Sequence, residues 1–90
     1  MQKHLQVFFT GQVQGVGFRF TAQRVARQFA VTGFVCNLQN GKVELVAEGE
    51  RKVLEDFFKE VCEQMSPYIR DMEFYWTEFE DKFKQFSIKA

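Results

Sequence analysis

Nine residues decide how this chain is organised: Gly11-Gln12-Val13-Gln14-Gly15-Val16-Gly17-Phe18-Arg19. They lie between an apolar run and a segment with helical periodicity, which predicts a turn leading from a strand into a helix. Glycines allow successive backbone N–H groups to face one concavity, and the start of the following helix adds positive potential. Arg19 adds a planar set of charged donors that suits a phosphate-like group. The stretch therefore predicts an anion-binding loop.

The segments on either side of this loop have different periodicities. Leu5, Val7 and Phe9 are spaced two apart, which is the period of a strand with one buried face. After the loop, Thr21 is predicted to cap a helix that runs from about Thr21 to Ala30. The apolar stripe of this helix falls at helical spacing and consists of Ala22, Val25, Ala26 and Phe29.

A hairpin is predicted next, with strands at Phe34–Leu38 and Val43–Ala47. Among the four residues between them, Asn40-Gly41 favours the positive φ of a tight turn. Alternation along the first strand places Asn37 on the face opposite Cys36. We therefore expect that Asn37 does not compete with core residues.

The last third predicts one more helix and two more strands. Apolar residues recur at helical spacing from about Arg51 to Gln64, and Ser66-Pro67 ends that pattern. Strand-like segments follow at Ile69–Glu78 and Phe83–Lys89, on either side of a polar turn at Glu80-Asp81-Lys82. The elements read β-α-β-β-α-β with a further strand-like segment near the end. Periodicity alone indicates an α+β two-layer domain, and the order fits a split βαβ, ferredoxin-like sandwich.

Size and charge limit the function classes. With 90 residues, 46% of them apolar and 12 of them Phe, the chain is predicted to form one domain over residues 1–90. Twelve basic and 12 acidic residues give no net charge, which disfavours a nucleic-acid partner. No apolar run is long enough to span a membrane, and the first residues do not resemble a secretory signal. We expect a cytoplasmic monomer.

Few residues are suited to metal-dependent or nucleophilic chemistry. His4 is the only histidine, and no His, Cys and acid cluster has metal-ligand spacing, so neither a metal nor another cofactor is expected. Cys36 is predicted to face away from Asn37, and Cys62 lies on the apolar stripe of the second predicted helix, so both are predicted to be small buried hydrophobes. Neither has an evident histidine partner that would make it a nucleophile. Catalysis by this chain would depend on positioning and electrostatics.

Two signature blocks carry a resemblance to a known family. The first is Gly11–Arg19 and the second is Thr32-Gly33-Phe34-Val35-Cys36-Asn37-Leu38-Gln39-Asn40-Gly41-Lys42-Val43, at the separation usual in that family. The likeness runs from about Leu5 to Ile88. The chain resembles an acylphosphatase, a small enzyme that hydrolyses carboxyl-phosphate anhydrides. This resemblance implies a ferredoxin-like sandwich with a mainly antiparallel sheet and two helices on one face.

The resemblance also implies an activity and its residues. Small acyl phosphates would be hydrolysed to a carboxylate and inorganic phosphate, with Arg19 binding the phosphate and Asn37 orienting the attacking water. Because the carboxylate is a good leaving group, the reaction mainly requires a held phosphoryl group and an aimed water. The expected phosphate-binding residues are Gln14, Gly15, Val16, Gly17, Phe18 and Arg19.

Two other functions remain open on the residues alone. Ferredoxin-like domains also serve as non-catalytic anion-binding or RNA-binding modules, and acylphosphatase-like domains also occur within larger carbamoyl-phosphate-processing systems.

Departures from the family pattern are small. Ala30-Val31 stands where a Gly-Leu pair is common, and Cys36 stands where a basic or polar residue often precedes the asparagine.

Overall fold

The computed structural model describes residues 1–90, which form five strands and two α-helices. A single 3₁₀ turn, Ser66–Tyr68, joins the second helix to the fourth strand. The elements in chain order are β1 (Gln2–Gly11), α1 (Phe18–Ala26), β2 (Thr32–Asn37), β3 (Val43–Glu50), α2 (Arg51–Met65), β4 (Ile69–Glu78) and β5 (Phe86–Lys89).

The strands form one sheet in the order β4-β1-β3-β2-β5. The pairs β4–β1, β1–β3 and β3–β2 are antiparallel, and only β2–β5 is parallel. Both helices pack on one face of this sheet, where their apolar stripes meet the inward side chains of the strands. The predicted ferredoxin-like α+β sandwich with a mainly antiparallel sheet is confirmed.

Helix α1 begins earlier than the sequence predicts. It starts at Phe18, and its N-cap is Gly17, which has a φ of 80° and supplies no side-chain cap. The backbone N–H of Thr21 donates to the carbonyl oxygen of Gly17 at 3.0 Å, so Thr21 lies inside the first turn. The predicted cap at Thr21 is therefore wrong, because a glycine in the left-handed region begins the helix directly from the loop.

The face of β2 that meets the core also differs from the expectation. Val35 is fully buried and pairs with Leu45, and Asn37 follows on the same face beside Val43. Cys36 lies on the other face, outside the main core cluster. Asn37 thus shares the face that the helices cover, and the expectation that it does not compete with core residues is wrong. Apolar residues lie on both faces of β2, so the sequence pattern could not identify the face that the helices cover.

The β2–β3 turn is longer than a two-residue hairpin loop. The N–H of Gly41 donates to the carbonyl oxygen of Leu38 at 3.2 Å, and Gly41 has the expected positive φ, 90°. Asn40 uses its side chain instead, since its Oδ1 accepts from the N–H of Lys42 at 3.0 Å. This turn holds the end of β2, where Asn37 lies, in a defined position.

The segment between β4 and β5 must cross the sheet, because these strands form its two opposite edges. It passes over the face that the helices leave open, where Phe83 packs against Phe34 at a ring separation of 5.9 Å. The predicted strand at Phe83 consequently begins only at Phe86. The sequence did not indicate the anchor of this crossing, which is a buried glutamate, Glu48.

The Glu48 carboxylate is hydrogen-bonded on all sides. It accepts from the backbone N–H groups of Glu80 and Lys82 at 2.8 and 3.3 Å, and its Oε2 lies 2.8 Å from Nδ1 of His4. Burial acts to raise the pKa of Glu48, but these hydrogen bonds outweigh it and leave the pKa below its ordinary value. The ionised carboxylate therefore ties the crossing segment to the centre of the sheet.

We predict that Glu48→Gln lowers the free energy of unfolding at pH 7 by about 1 to 3 kcal/mol, because donors that faced a carboxylate lose a charged acceptor. A lowered folded-state pKa stabilises the protein above the unfolded pKa, about 4.3 for glutamate, and this stabilisation is lost as pH falls. Denaturant unfolding should therefore show a difference between wild type and Glu48→Gln that is largest above pH 5 and shrinks toward pH 3. Glu44→Gln, on the same strand, is the control, and an equal effect of the two variants contradicts the anchor role.

Candidate active site

The glycine loop joins the end of β1 to the start of α1 and is fixed at both ends by core side chains. Val13 is fully buried and Phe18 is 2% exposed, with the Phe18 ring 4.8 Å from that of Phe9. Between these anchors Gly15 and Gly17 have φ values of 79° and 80°, which favour glycine. A Cβ atom at either glycine would meet nothing within 4 Å, so the loop is open to approach from solvent.

The backbone N–H groups from Gln14 to Gly17 have no acceptor in the protein. The first N–H groups of α1 also lack intrahelical partners, as in any helix, and add the positive end of the helix dipole. No acidic side chain occupies the first turn of α1 to neutralise that end. The loop and the helix start together present a set of unpaired donors, which is the arrangement that anions bind.

Arg19 is the second residue of α1 and takes part in none of the ion pairs of the chain. A cation in the first turn of a helix is mildly unfavourable, because the helix dipole repels it. Arg19 lies close enough to the end of β2 for its charge to act on the thiol of Cys36, the neighbour of Asn37 in sequence. The guanidinium group is therefore available for an anion near the ends of both elements.

Asn37 is the last residue of β2. Strands β1 and β2 are both antiparallel to β3, so their C-terminal ends, and with them the glycine loop and Asn37, lie at the same end of the sheet. The Oδ1 atom of Asn37 is buried and has no hydrogen-bond partner. A buried acceptor left without any partner costs about 1 to 3 kcal/mol, so this oxygen is suited to accept a hydrogen bond from a bound molecule.

The side chain of Gln14 has a role that the sequence did not reveal. Its Nε2 donates to the carbonyl oxygens of Leu38 and Lys42, at 2.8 and 3.0 Å. The Lys42 oxygen also accepts from the N–H of Leu38 at 2.9 Å, within the turn that follows Asn37. Gln14 was predicted only as a phosphate-binding residue of the loop. Its side chain links the loop to the hairpin. A glutamine within a glycine-rich loop gives no local indication that its side chain contacts a turn distant in the sequence.

We predict that Gln14→Ala loosens this link, lowers the free energy of unfolding by about 1 to 3 kcal/mol and lowers kcat about tenfold for the acyl-phosphate hydrolysis that the resemblance implies. Two hydrogen bonds between the loop and the hairpin are lost, so Asn37 and the loop no longer hold a fixed separation. Steady-state kinetics and denaturant unfolding measure the two effects. Gln12→Ala is the control, since Gln12 is exposed and its side chain makes no hydrogen bond. Wild-type kcat in Gln14→Ala would exclude a positioning role.

The cysteines and the histidine lie apart from this chemistry. Burial, followed by the nearby Glu44 carboxylate, raises the pKa of Cys36, although Lys89 and Arg19 act in the opposite direction. Burial alone raises the pKa of Cys62 to about 11. Both thiols are therefore protonated at neutral pH and poor nucleophiles. His4 is engaged by Glu48, away from the loop.

Two structural observations concern metals and membranes. No group of three or more His, Cys, Asp or Glu side chains is arranged to hold a metal ion. Neither helix combines the length and apolarity that crossing a bilayer requires.

These features define a two-layer α+β domain with a candidate anion-binding site at one end of its sheet. The chain belongs to the acylphosphatase family, because the sequence model of that family matches residues 5–88. An acylphosphatase from Caldanaerobacter subterraneus is 34% identical in an alignment of 93 positions, which covers 98% of this chain and 99% of the relative. An acylphosphatase from Methanospirillum hungatei is 46% identical over 59 residues, but the match spans 66% of this chain and 65% of that protein.

Solved structures agree with this assignment. The crystal structure of an acylphosphatase from Bacillus subtilis superimposes with a TM-score of 0.88 at 28% identity and covers both chains completely. HypF from T. kodakarensis matches with a TM-score of 0.82 at 28% identity, over 98% of this chain and 12% of that chain. The same fold therefore occurs both as a chain of this size and as a small part of a larger protein.

Proposed function

We propose that this protein is an acylphosphatase that hydrolyses the carboxyl-phosphate bond of small acyl phosphates. The observation that carries the proposal is the buried, unpaired Oδ1 of Asn37 at the end of the sheet that also holds the glycine loop and Arg19. Unpaired N–H groups and an unpaired guanidinium provide the anion-binding part of the site. The unpaired amide oxygen provides an acceptor for a water molecule.

In the proposed mechanism, the phosphoryl oxygens are bound by Arg19 and by the backbone N–H groups from Gln14 to Phe18. Asn37 holds a water whose oxygen attacks phosphorus in line with the acyl oxygen. The bond between phosphorus and that oxygen breaks, and the carboxylate leaves with the electron pair. One proton of the water passes to a phosphoryl oxygen, because no strong base lies at the site. Fixed N–H donors and Arg19 stabilise the charge that develops at phosphorus.

Several features support a small acyl phosphate as the partner. The chain has no net positive charge to attract a nucleic acid, so the RNA-binding alternative is not favoured. The curated relatives that match nearly the whole chain are named acylphosphatases, which supports this activity over a carbamoyl-phosphate-processing role. One continuous apolar core supports a single domain over residues 1–90. The cytoplasmic location remains a prediction, and all residues of the proposed site come from one chain.

We predict that acetyl phosphate and benzoyl phosphate are hydrolysed without a metal, because the loop and Arg19 already supply the positive potential that a metal would provide. The measurement is kcat/KM after exhaustive chelation, and we expect no loss. A phosphate monoester, p-nitrophenyl phosphate, serves as the control substrate and is expected to react far more slowly. Activity that disappears on chelation and returns with a divalent cation would overturn the metal-independent mechanism, and absence of acyl-phosphate hydrolysis would overturn the function.

A further inference from the structure

Phe20 is the most exposed aromatic residue of the protein. It is 69% exposed, whereas no other aromatic residue is more than 50% exposed. Its ring pairs with no other aromatic ring and does not pack against the core. A phenylalanine ring left in water forgoes the stabilisation that burial gives. Phe20 is the third residue of α1, directly after Arg19, so this apolar surface lies beside the candidate active site.

The Phe20 side chain points away from the sheet and leans toward the glycine loop. Phe18 and Ala22 are buried against the sheet, and Phe20 lies about half a turn from each of them, on the opposite side of α1. Long side chains on a helix lean toward its N-terminus, so a residue in the first turn covers the segment that precedes the helix. Here that segment is the loop, where Gly15 and Gly17 have no side chains that could cover the ring.

The proposed mechanism determines the side on which the acyl group leaves. In phosphoryl transfer, the attacking and leaving oxygens lie roughly in line, on opposite sides of phosphorus. Asn37 would hold the water from the end of β2, in the sheet layer, whereas the loop and the start of α1 would hold the phosphoryl group in the helix layer. The acyl group therefore extends outward, away from the sheet, on the side that Phe20 faces.

We propose that Phe20 is a specificity-determining residue that contacts the acyl group, and that the preferred substrates are acyl phosphates with an apolar acyl group larger than acetyl, above all an aromatic one. This inference rests on the proposed function. Contact between the Phe20 ring and an apolar acyl group removes apolar surface of both from water. The contact is present in the bound substrate and in the transition state alike, so it lowers KM and leaves kcat nearly unchanged.

Steady-state kinetics of Phe20→Ala with benzoyl phosphate and acetyl phosphate test the proposal. We expect KM for benzoyl phosphate to rise about five- to tenfold, with kcat within about twofold of wild type, because the benzoyl ring loses its apolar contact. Both constants for acetyl phosphate should stay within about twofold, since one methyl group makes little contact with the ring. The intrinsic reactivities of the two substrates cancel, because the same pair is compared in both proteins.

Two further measurements separate loss of the apolar contact from damage to the site. Phe20→Leu keeps an apolar side chain, so its KM for benzoyl phosphate should stay within about threefold of wild type. The inhibition constant of inorganic phosphate should be unchanged in Phe20→Ala, because Phe20 does not contact the phosphoryl group. Circular dichroism verifies that each variant is folded.

Phe79→Ala is the matched control, because it removes a partly exposed phenylalanine ring at the opposite end of the sheet. Phe79 follows Glu78, which pairs with Lys3 near the start of β1, whereas the glycine loop follows the end of β1. This variant should change KM for neither substrate. In Phe20→Ala, an unchanged KM for benzoyl phosphate, or an equal rise in KM for both substrates, overturns the specificity role and leaves the proposed function intact. A wild type that hydrolyses neither substrate overturns the proposed function itself.

Discussion

Arg19→Ala is expected to abolish most of the activity, with kcat for acetyl phosphate hydrolysis falling about a thousandfold and the inhibition constant of inorganic phosphate rising about ten- to a hundredfold. The guanidinium is proposed to contact phosphoryl oxygens both in the bound substrate and in the transition state. Losing a charge-assisted hydrogen bond costs roughly 1.5 to 3 kcal/mol, which accounts for the loss of phosphate affinity. The larger loss in kcat reflects the greater charge at the phosphoryl group during the reaction.

Arg24→Ala is the matched control for this variant. Arg24 lies on the same helix, but its guanidinium donates to Oε1 of Gln64 at 2.6 Å, on the exposed side of the molecule. It should change neither kcat nor phosphate inhibition. Arg19→Lys should retain part of the affinity and less of the turnover, because an ammonium group keeps the charge but cannot form two parallel hydrogen bonds. Unchanged phosphate inhibition in a folded Arg19→Ala would remove Arg19 from the phosphate site.

Asn37→Ala is expected to lower kcat about a hundredfold while phosphate inhibition stays within about twofold of wild type. Asn37 is proposed to contact the attacking water and not the phosphoryl group, so its loss should affect the chemical step alone. The variant should also be about as stable as wild type. The Oδ1 atom that it removes makes no hydrogen bond to another group of the protein, so no internal hydrogen bond is lost.

This combination of lower turnover and unreduced stability separates a functional asparagine from a structural one. Asn40→Ala is the control, because the Asn40 side chain accepts a hydrogen bond within the turn. It should lose a little stability and keep its activity, the reverse of Asn37→Ala. Near-normal turnover by Asn37→Ala, or an equal loss of phosphate affinity in Asn37→Ala and Arg19→Ala, would exclude the water-orienting role.

Much of the fold could be predicted from local pattern. The alternation of Leu5, Val7 and Phe9 predicted β1, and all three are fully buried against the helices. The helical spacing of the residues from Arg51 onward predicted α2, which ends within one residue of the expected position. The change of period between β1 and α1 predicted the glycine loop, with Arg19 beside it. These features depend on residues close in sequence, so the sequence itself carries the information.

The start of α1 marks the limit of such local reasoning. Threonine is a preferred N-cap residue, and Thr21 was predicted on that basis. The helix instead begins after Gly17, because the buried Phe18 must reach the ring of Phe9, and this contact places the first turn directly after the loop. A contact between two elements therefore outweighed a local preference, and it brought Arg19 into the first turn.

By itself, the sequence determined the order of the strands and helices along the chain, the conformation of the glycine loop and the position of Arg19 next to it. Only the tertiary structure decided which face of β2 the helices cover, and hence that the Asn37 oxygen is buried without a partner. It also brought the Gln14 amide to the hairpin and Glu48 beneath the crossing segment. The physical reason is that periodicity distinguishes the two faces of a strand but does not show which face is covered. The element that packs on each face comes from a distant part of the chain.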